Sequence, residues 1–221
     1  MLYNRHMVKI VPTITAMTAD EYASQMARLS FAERIHIDIT DGDFAPSKTV
    51  SLNQVYWDRN ETLNHIDLHL MIRRPVEWLH QVIALSPDSV VLHVESDNAN
   101  EDLPRIAEYL RKFEIKFGIA ILPETTVESV RSLVEISDHV LIFGGKLGFQ
   151  GGTADLMQLE KVVKIRDISP HVEIAWDGGA NADNVHQITS AGIDVINFGS
   201  AIMKNPEPEK YYRELTKIAG R

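Results

Sequence analysis

Residues Arg34-Ile-His-Ile-Asp-Ile-Thr-Asp-Gly42 decide the architecture. His36 and Asp38 stand two apart, so on an extended chain their side chains share one face while Ile35, Ile37 and Ile39 take the other. Isoleucine on one side and ionisable groups on the other describe a strand whose interior end carries chemistry. Two more segments follow suit: Ile66-Asp-Leu-His-Leu-Met71 places His69, and Glu173-Ile-Ala-Trp-Asp-Gly-Gly179 places Asp177, at the downstream end of a short apolar run.

Outward from these segments, short β-branched runs alternate with amphipathic stretches along the whole chain. Strands are predicted near Val8 to Ile14, Arg34 to Ile39, His65 to Leu70, Ser89 to Val94, Lys116 to Ile121, His139 to Phe143, Glu173 to Trp176 and Val195 to Phe198. Helices are predicted over Ala19 to Leu29, Pro75 to Leu85, Glu101 to Phe113, Thr126 to Ile136, Thr153 to Ile168, Asn181 to Ala191 and Pro206 to Ala219, with a shorter one over Ser51 to Arg59. Thr18 or Asp20 suits the first N-cap, and Pro75 a first helical turn. Strands alternating with helices predict an α/β fold: a closed, parallel eight-stranded (β/α)8 TIM barrel, with an open doubly wound sheet as the alternative. No linker divides the 221 residues, so residues 1–221 are expected to form a single barrel domain.

Composition narrows the partners. A formal net charge of -9, with 22 basic residues scattered rather than gathered, argues against nucleic acid phosphates and anionic lipid. Neither a membrane-length apolar run nor the apolar core of a secretory signal is present, so a cytoplasmic protein is expected. Without cysteine, a transition metal would be held by histidine and carboxylate.

Barrel sites form at the C-terminal ends of strands, where His36, Asp38, His69 and Asp177 all fall. Two imidazoles and two carboxylates can hold a divalent ion and leave positions open for substrate oxygens. The carboxylates could also transfer protons across a bound carbon, with the ion stabilising enolate or enediolate charge. Taken singly, His36 reads as a satisfied polar residue, and Asp38 as a cap or a partner of Arg34; the joint placement favours metal. His93, with Glu95 two residues on, fits a supporting or structural role and stands outside the expected ligand set. Glycines after the last three strands, in Gly148-Phe-Gln-Gly-Gly152, Gly178-Gly179 and Gly199-Ser200, offer backbone amides to an anion, against the plainer reading of ordinary tight turns.

From Val11 to Met203 the chain resembles the ribulose-phosphate 3-epimerase family. The resemblance rests on Pro12-Thr-Ile-Thr-Ala16, His36-Ile-Asp-Ile-Thr-Asp-Gly-Asp-Phe-Ala-Pro46, His69-Leu-Met71, Leu92-His-Val-Glu95, Gly148-Phe149, Asp177-Gly-Gly179 and Gly199-Ser-Ala-Ile-Met203. It implies a barrel isomerase of the pentose phosphate pathway that interconverts D-ribulose 5-phosphate and D-xylulose 5-phosphate through an enediolate. It further implies one divalent metal (Fe, Zn, Mn or Co) on His36, Asp38, His69 and Asp177, with Asp38 and Asp177 as the acid/base pair. Thr13, His69, Met71, Gly148, Gly151, Gly178, Gly179, Gly199 and Ser200 are the implied substrate contacts. Family members often self-associate, so a homo-oligomer is also an expectation.

The chain departs from the family pattern at Lys146-Leu-Gly-Phe-Gln-Gly-Gly152, where Asn-Pro-Gly-Phe-Gly-Gly-Gln is usual. Thr40 and Phe143 replace methionines, Asp43 a histidine and Ser47 an asparagine. Lys146 reads either as a phosphate contact or as a solvated loop lysine. Another ketose phosphate such as allulose 6-phosphate, or noncatalytic sugar-phosphate binding, are the competing functions.

Overall fold

Period-two patterning sorts each strand into an outer and an inner face. A computed structural model describes residues 7–59, 62–148 and 151–220. Their strands are β1 (Lys9–Ile14), β2 (Arg34–Thr40), β3 (His65–Met71), β4 (Ser89–His93), β5 (Lys116–Ile121), β6 (His139–Phe143), β7 (Glu173–Asp177) and β8 (Val195–Phe198). All neighbours are parallel, and β8 returns to β1 in the register Lys9↔Val195 to Pro12↔Phe198, which closes the barrel. The closed form is the predicted one; the open sheet is excluded.

Ile35, Ile37 and Ile39, Ile66, Leu68 and Leu70, and Ile174 and Trp176 face outward into the main hydrophobic layer beneath the helices. Each such isoleucine or leucine, withdrawn fully from water, stabilises the fold by about 1.5–3 kcal/mol. The interior is narrower and filled midway by Val11, Val91, Ala120, Leu141, Ala175 and Val195. At its N-terminal end Arg34 is gripped by two carboxylates: Nε donates to Asp67 at 2.6 Å and Nη2 to Glu173 at 2.7 Å. Arg34 is therefore engaged away from Asp38, which removes the pairing that the sequence left open.

The helices are α1 (Ala19–Arg28), α2 (Leu79–Leu85), α3 (Ala99–Arg111), α4 (Arg131–Ile136), α5 (Lys161–Ile168), α6 (Val185–Ser190), α7 (Ser200–Met203) and α8 (Pro208–Ala219). Thr18 caps α1, its side chain accepting from the Glu21 amide at 3.2 Å. Several helices begin with a 3-10 turn: Pro75–Trp78, Glu128–Val130 and Leu156–Glu160. The helix expected over Ser51 to Arg59 does not form among its described residues. Gln54 Oε1 accepts from both the amide and hydroxyl of Ser51, and the Tyr56 carbonyl accepts from Tyr22, so local side-chain bonds compete with a helical ladder. Leu52 and Val55 remain buried, so this loop closes the barrel wall by packing without a helix.

Candidate metal and substrate site

The alternation that sends isoleucines outward brings His36, Asp38, His69 and Asp177 together inside the C-terminal end of the barrel. One ligand atom from each lies within 4.8 Å of the others, and all four residues are buried. Asp38 Oδ1 is 2.9 Å from His69 Nδ1 and 3.3 Å from His36 Nε2. Asp177 Oδ2 stands 3.7 Å from His36 Nε2 and 3.8 Å from His69 Nδ1. The remaining Asp38 oxygen, Oδ2, accepts a 2.6 Å hydrogen bond from Thr15 Oγ1, fixing which oxygen faces the imidazoles.

Several features fit this cluster to a divalent cation. His36 Nε2 is buried and faces Asp38 Oδ1 at 3.3 Å and Asp177 Oδ2 at 3.7 Å, a gathering of electron-rich atoms that a cation between them would satisfy. Separations of 2.9 to 3.8 Å suit donors that share one ion at about 2.0–2.2 Å. The Asn197 amide lies 3.2 Å from His36 Nδ1. A half-turn of that amide lets Oδ1, otherwise buried without a partner, accept from Nδ1–H and directs the Nε2 lone pair at the cluster.

Electrostatics agree. Burial is the largest influence on His69 and pushes it down to about 4, so its imidazole is neutral, as a ligand must be. Burial also opposes ionisation of Asp38, but hydrogen bonds with His36 and His69 outweigh it and hold that carboxyl below the usual range. Asp177, buried and close to the Asp38 charge, is pushed up to about 7. Burial would lower His36, yet the hydrogen bond and charge of Asp38, with that of Asp177, raise it. Two enclosed carboxylates demand positive charge, and a divalent ion meets that demand without protonating an imidazole.

Above the cluster lies a cleft lined by Thr13, Asp38, Met71, Lys146, Gly148, Gly151, Asp177, Gly178, Gly179, Gly199 and Ser200. Every implied substrate contact except His69 thus reaches it; His69 lies beneath, fully buried. Phe149 and Gln150, in the Gly148 to Gly152 stretch, lie outside the described residues. Gly179 has φ +67, and a Cβ there would meet the Ala154 amide nitrogen at 2.3 Å; at Gly178, φ +108, the Gly145 nitrogen would be met at 2.2 Å. The loops after β6 and β7 therefore touch backbone to backbone. Asn181 and Asn184 pin the second loop by donating to the Gly179 carbonyl at 3.2 and 3.0 Å. Thr40 and Phe143 also line the cleft. Ser47 lies beneath the β6 loop, within 2.9 Å of where a Gly148 Cβ would stand, while Asp43 is exposed and stays off the lining.

Thr15, Asn197 and the His93–Glu95 pair were not among the predicted site residues. Thr15 had a signal, being two residues beyond Thr13 on the same inward face. Asn197 also faces inward near the end of β8, but its contact with His36 spans 161 residues and depends on barrel closure.

Ionisable groups gathered at the C-terminal ends of parallel barrel strands define a barrel enzyme. The chain belongs to the ribulose-phosphate 3-epimerase family, whose model matches residues 9–203, and is accordingly an isomerase. A ribulose-phosphate 3-epimerase of Helicobacter pylori (strain ATCC 700392 / 26695) is 27% identical over 207 residues, covering 90% of this chain and 93% of that protein. A cytoplasmic isoform from Oryza sativa subsp. japonica is 29% identical over 198 residues, covering 88% and 86%. In fold alone, 3-hexulose-6-phosphate synthase from Salmonella typhimurium superposes with a TM-score of 0.71 at 16% identity, covering 96% of this chain and 98% of that one.

Proposed function

We propose that this chain is a metal-dependent epimerase inverting C3 of a phosphorylated ketose, interconverting D-ribulose 5-phosphate and D-xylulose 5-phosphate. The observation that carries the reading is the meeting of Asp38 and Asp177 in one buried cluster from β2 and β7, strands separated in the wall by β1 and β8. Carboxylates from different sides of a barrel suit removal of a proton from one face of a carbon and delivery to the other.

Asp38 Oδ2, oriented by Thr15 and turned away from the imidazoles, accepts the C3 proton. Asp177 directs Oδ2 at the histidines, which leaves Oδ1 to return a proton on the opposite face. His36, Asp38, His69 and Asp177 would hold a divalent ion, which would supply Lewis-acid stabilisation of developing oxyanion charge. Thr13 Oγ1, buried without a partner, is available to a sugar oxygen. Amides of the Gly178-Gly179 and Gly199-Ser200 turns hold the phosphate, and Lys146 at the rim adds a cation. The proposed setting is cytoplasmic pentose phosphate metabolism, supported by the rice isoform.

Incubation with D-ribulose 5-phosphate in deuterium oxide tests the reading: deuterium should enter at C3 as xylulose 5-phosphate accumulates. Binding without exchange would leave a sugar-phosphate receptor. Because Thr40 and Phe143 line the cleft, allulose 6-phosphate belongs in the same panel; faster exchange on it would move the substrate assignment and keep the reaction.

A further inference from the structure

His93 closes β4 with its ring fully buried between His69, Phe44 and Phe143, at centroid distances of 5.0, 4.8 and 6.2 Å. Its Nε2 lies 2.9 Å from Nε2 of His69, and its Nδ1 3.3 Å from Oε2 of Glu95. Glu95 is fixed in turn, since Oε1 accepts from the Leu122 amide at 3.0 Å. Lys161, buried on α5, clamps that turn by donating to the Leu122 and Pro123 carbonyls at 2.6 and 3.2 Å. The phenyl rings shut water away, so His93 has these two partners and no solvent with which to exchange them.

Proton placement along such a line is determined. An ionised carboxylate only accepts, so His93 Nδ1 carries a proton and donates it to Glu95. In a neutral ring Nε2 is then an acceptor, and the nitrogen facing it, His69 Nε2, must be the donor. That leaves His69 Nδ1 as a lone pair, and Nδ1 is the nitrogen turned toward Asp38 and Asp177. We infer that Glu95 and His93 are positioning residues that set the tautomer and orientation of His69 as a metal ligand, a carboxylate–imidazole–imidazole line in place of the usual carboxylate–imidazole pair. The inference rests on the metal reading of the His36–Asp38–His69–Asp177 cluster.

Two near-isosteric variants separate this role from packing. Glu95→Gln keeps the shape, and its oxygen still meets the Leu122 amide, but it turns an NH2 toward His93 Nδ1. The line is thereby reversed, and a proton falls on His69 Nδ1. His93→Gln shortens the line but keeps an acceptor for His69 Nε2–H. Metal-stripped protein titrated with Zn2+ in chelator competition should bind roughly 10–100-fold more weakly as Glu95→Gln, the usual effect of losing such a partner, and His93→Gln should recover part of that loss relative to His93→Phe. Nitrogen-15 spectra of the zinc-loaded wild type should show His93 protonated at Nδ1 and His69 at Nε2. Wild-type zinc affinity in Glu95→Gln and His93→Phe, with affinity lost in His69→Ala, would overturn the relay and leave the metal site standing. Failure of the wild type to bind zinc, manganese or iron would overturn both together.

Discussion

Thr15 shows how much one hydroxyl can decide. In the proposed reaction its 2.6 Å bond to Asp38 Oδ2 selects the oxygen offered to substrate, so Thr15→Val, which keeps the shape, should lower kcat by about 1.5–3 kcal/mol in barrier, roughly tenfold or more, with metal content unchanged. Wild-type turnover in that variant would detach Thr15 from the reaction. In the proposed reaction Asp38→Asn and Asp177→Asn each remove a group acting on one face of the substrate and should cost roughly 10²–10⁴-fold in epimerisation. Near wild-type turnover in either, with metal bound, would break the two-carboxylate assignment. Lys146 is exposed at the cleft rim, and Lys146→Ala should raise KM by about 1–2 kcal/mol of lost phosphate binding, an effect that shrinks with added salt. Unchanged KM at low ionic strength would return it to the solvated surface. The four cluster residues were legible because strand periodicity fixes their face and barrel topology fixes their end. Asn197 was not, and although Thr15 shared the face of Thr13 and His93 already read as a supporting or structural residue, the partner of each depends on which side chain lies opposite after the sheet closes.

Among the elements, strands were the more legible. Each predicted run became a strand within a residue at either end, since a buried parallel strand is a dense apolar signal with sharp polar limits. Helix starts were less regular: α1 begins at Ala19 as expected and α3 two residues early at Ala99, whereas Asn181 to Asn184 is spent on a turn in which Asn184 Oδ1 accepts from the Asn181 amide, and α6 begins only at Val185. Apolar periodicity reports burial and is blind to whether the first turn is 3-10 or α, as before α2, α4 and α5. The β7 turn gives the prediction at this scale. Gly179→Ala must adopt φ +67 and displace the Thr153–Ala154 backbone, so it should shift the turn, raise KM for phosphorylated substrate and lower Tm. A variant with wild-type KM and melting would show that this backbone contact is dispensable.

At the scale of the whole molecule, the barrel carries a polar network at each end, separated by the apolar layer of Val11, Val91, Leu141 and Ala175. The C-terminal cluster is the proposed seat of chemistry; the N-terminal one ties β2, β3, β6 and β7 together. There Arg34 bridges Asp67 and Glu173, His65 Nε2 lies 3.0 Å from Asp67, and His139 Nδ1 lies 2.9 Å from Glu173. Burial raises both carboxyls, but hydrogen bonds from His139 and Arg34 outweigh it at Glu173, and the His65 hydrogen bond and the Arg34 charge do so at Asp67, holding both below the ordinary range. A carboxyl depressed in the folded state adds stability that is complete above its unfolded value, near pH 4–4.5, and fades as pH falls through the folded one. Glu173→Gln removes one such group and leaves Arg34 with a single charged partner. The variant should be less stable than wild type at pH 7 by about 1–3 kcal/mol, a few degrees in Tm, because one side of the ion pair is partly solvated. That gap should narrow steadily between about pH 4.5 and pH 2 as the wild-type carboxylate takes up its proton. Denaturant melts of the two proteins at pH 7, 5, 4 and 3 measure it directly, and a gap constant across that range would mean that Glu173 acts through shape rather than charge.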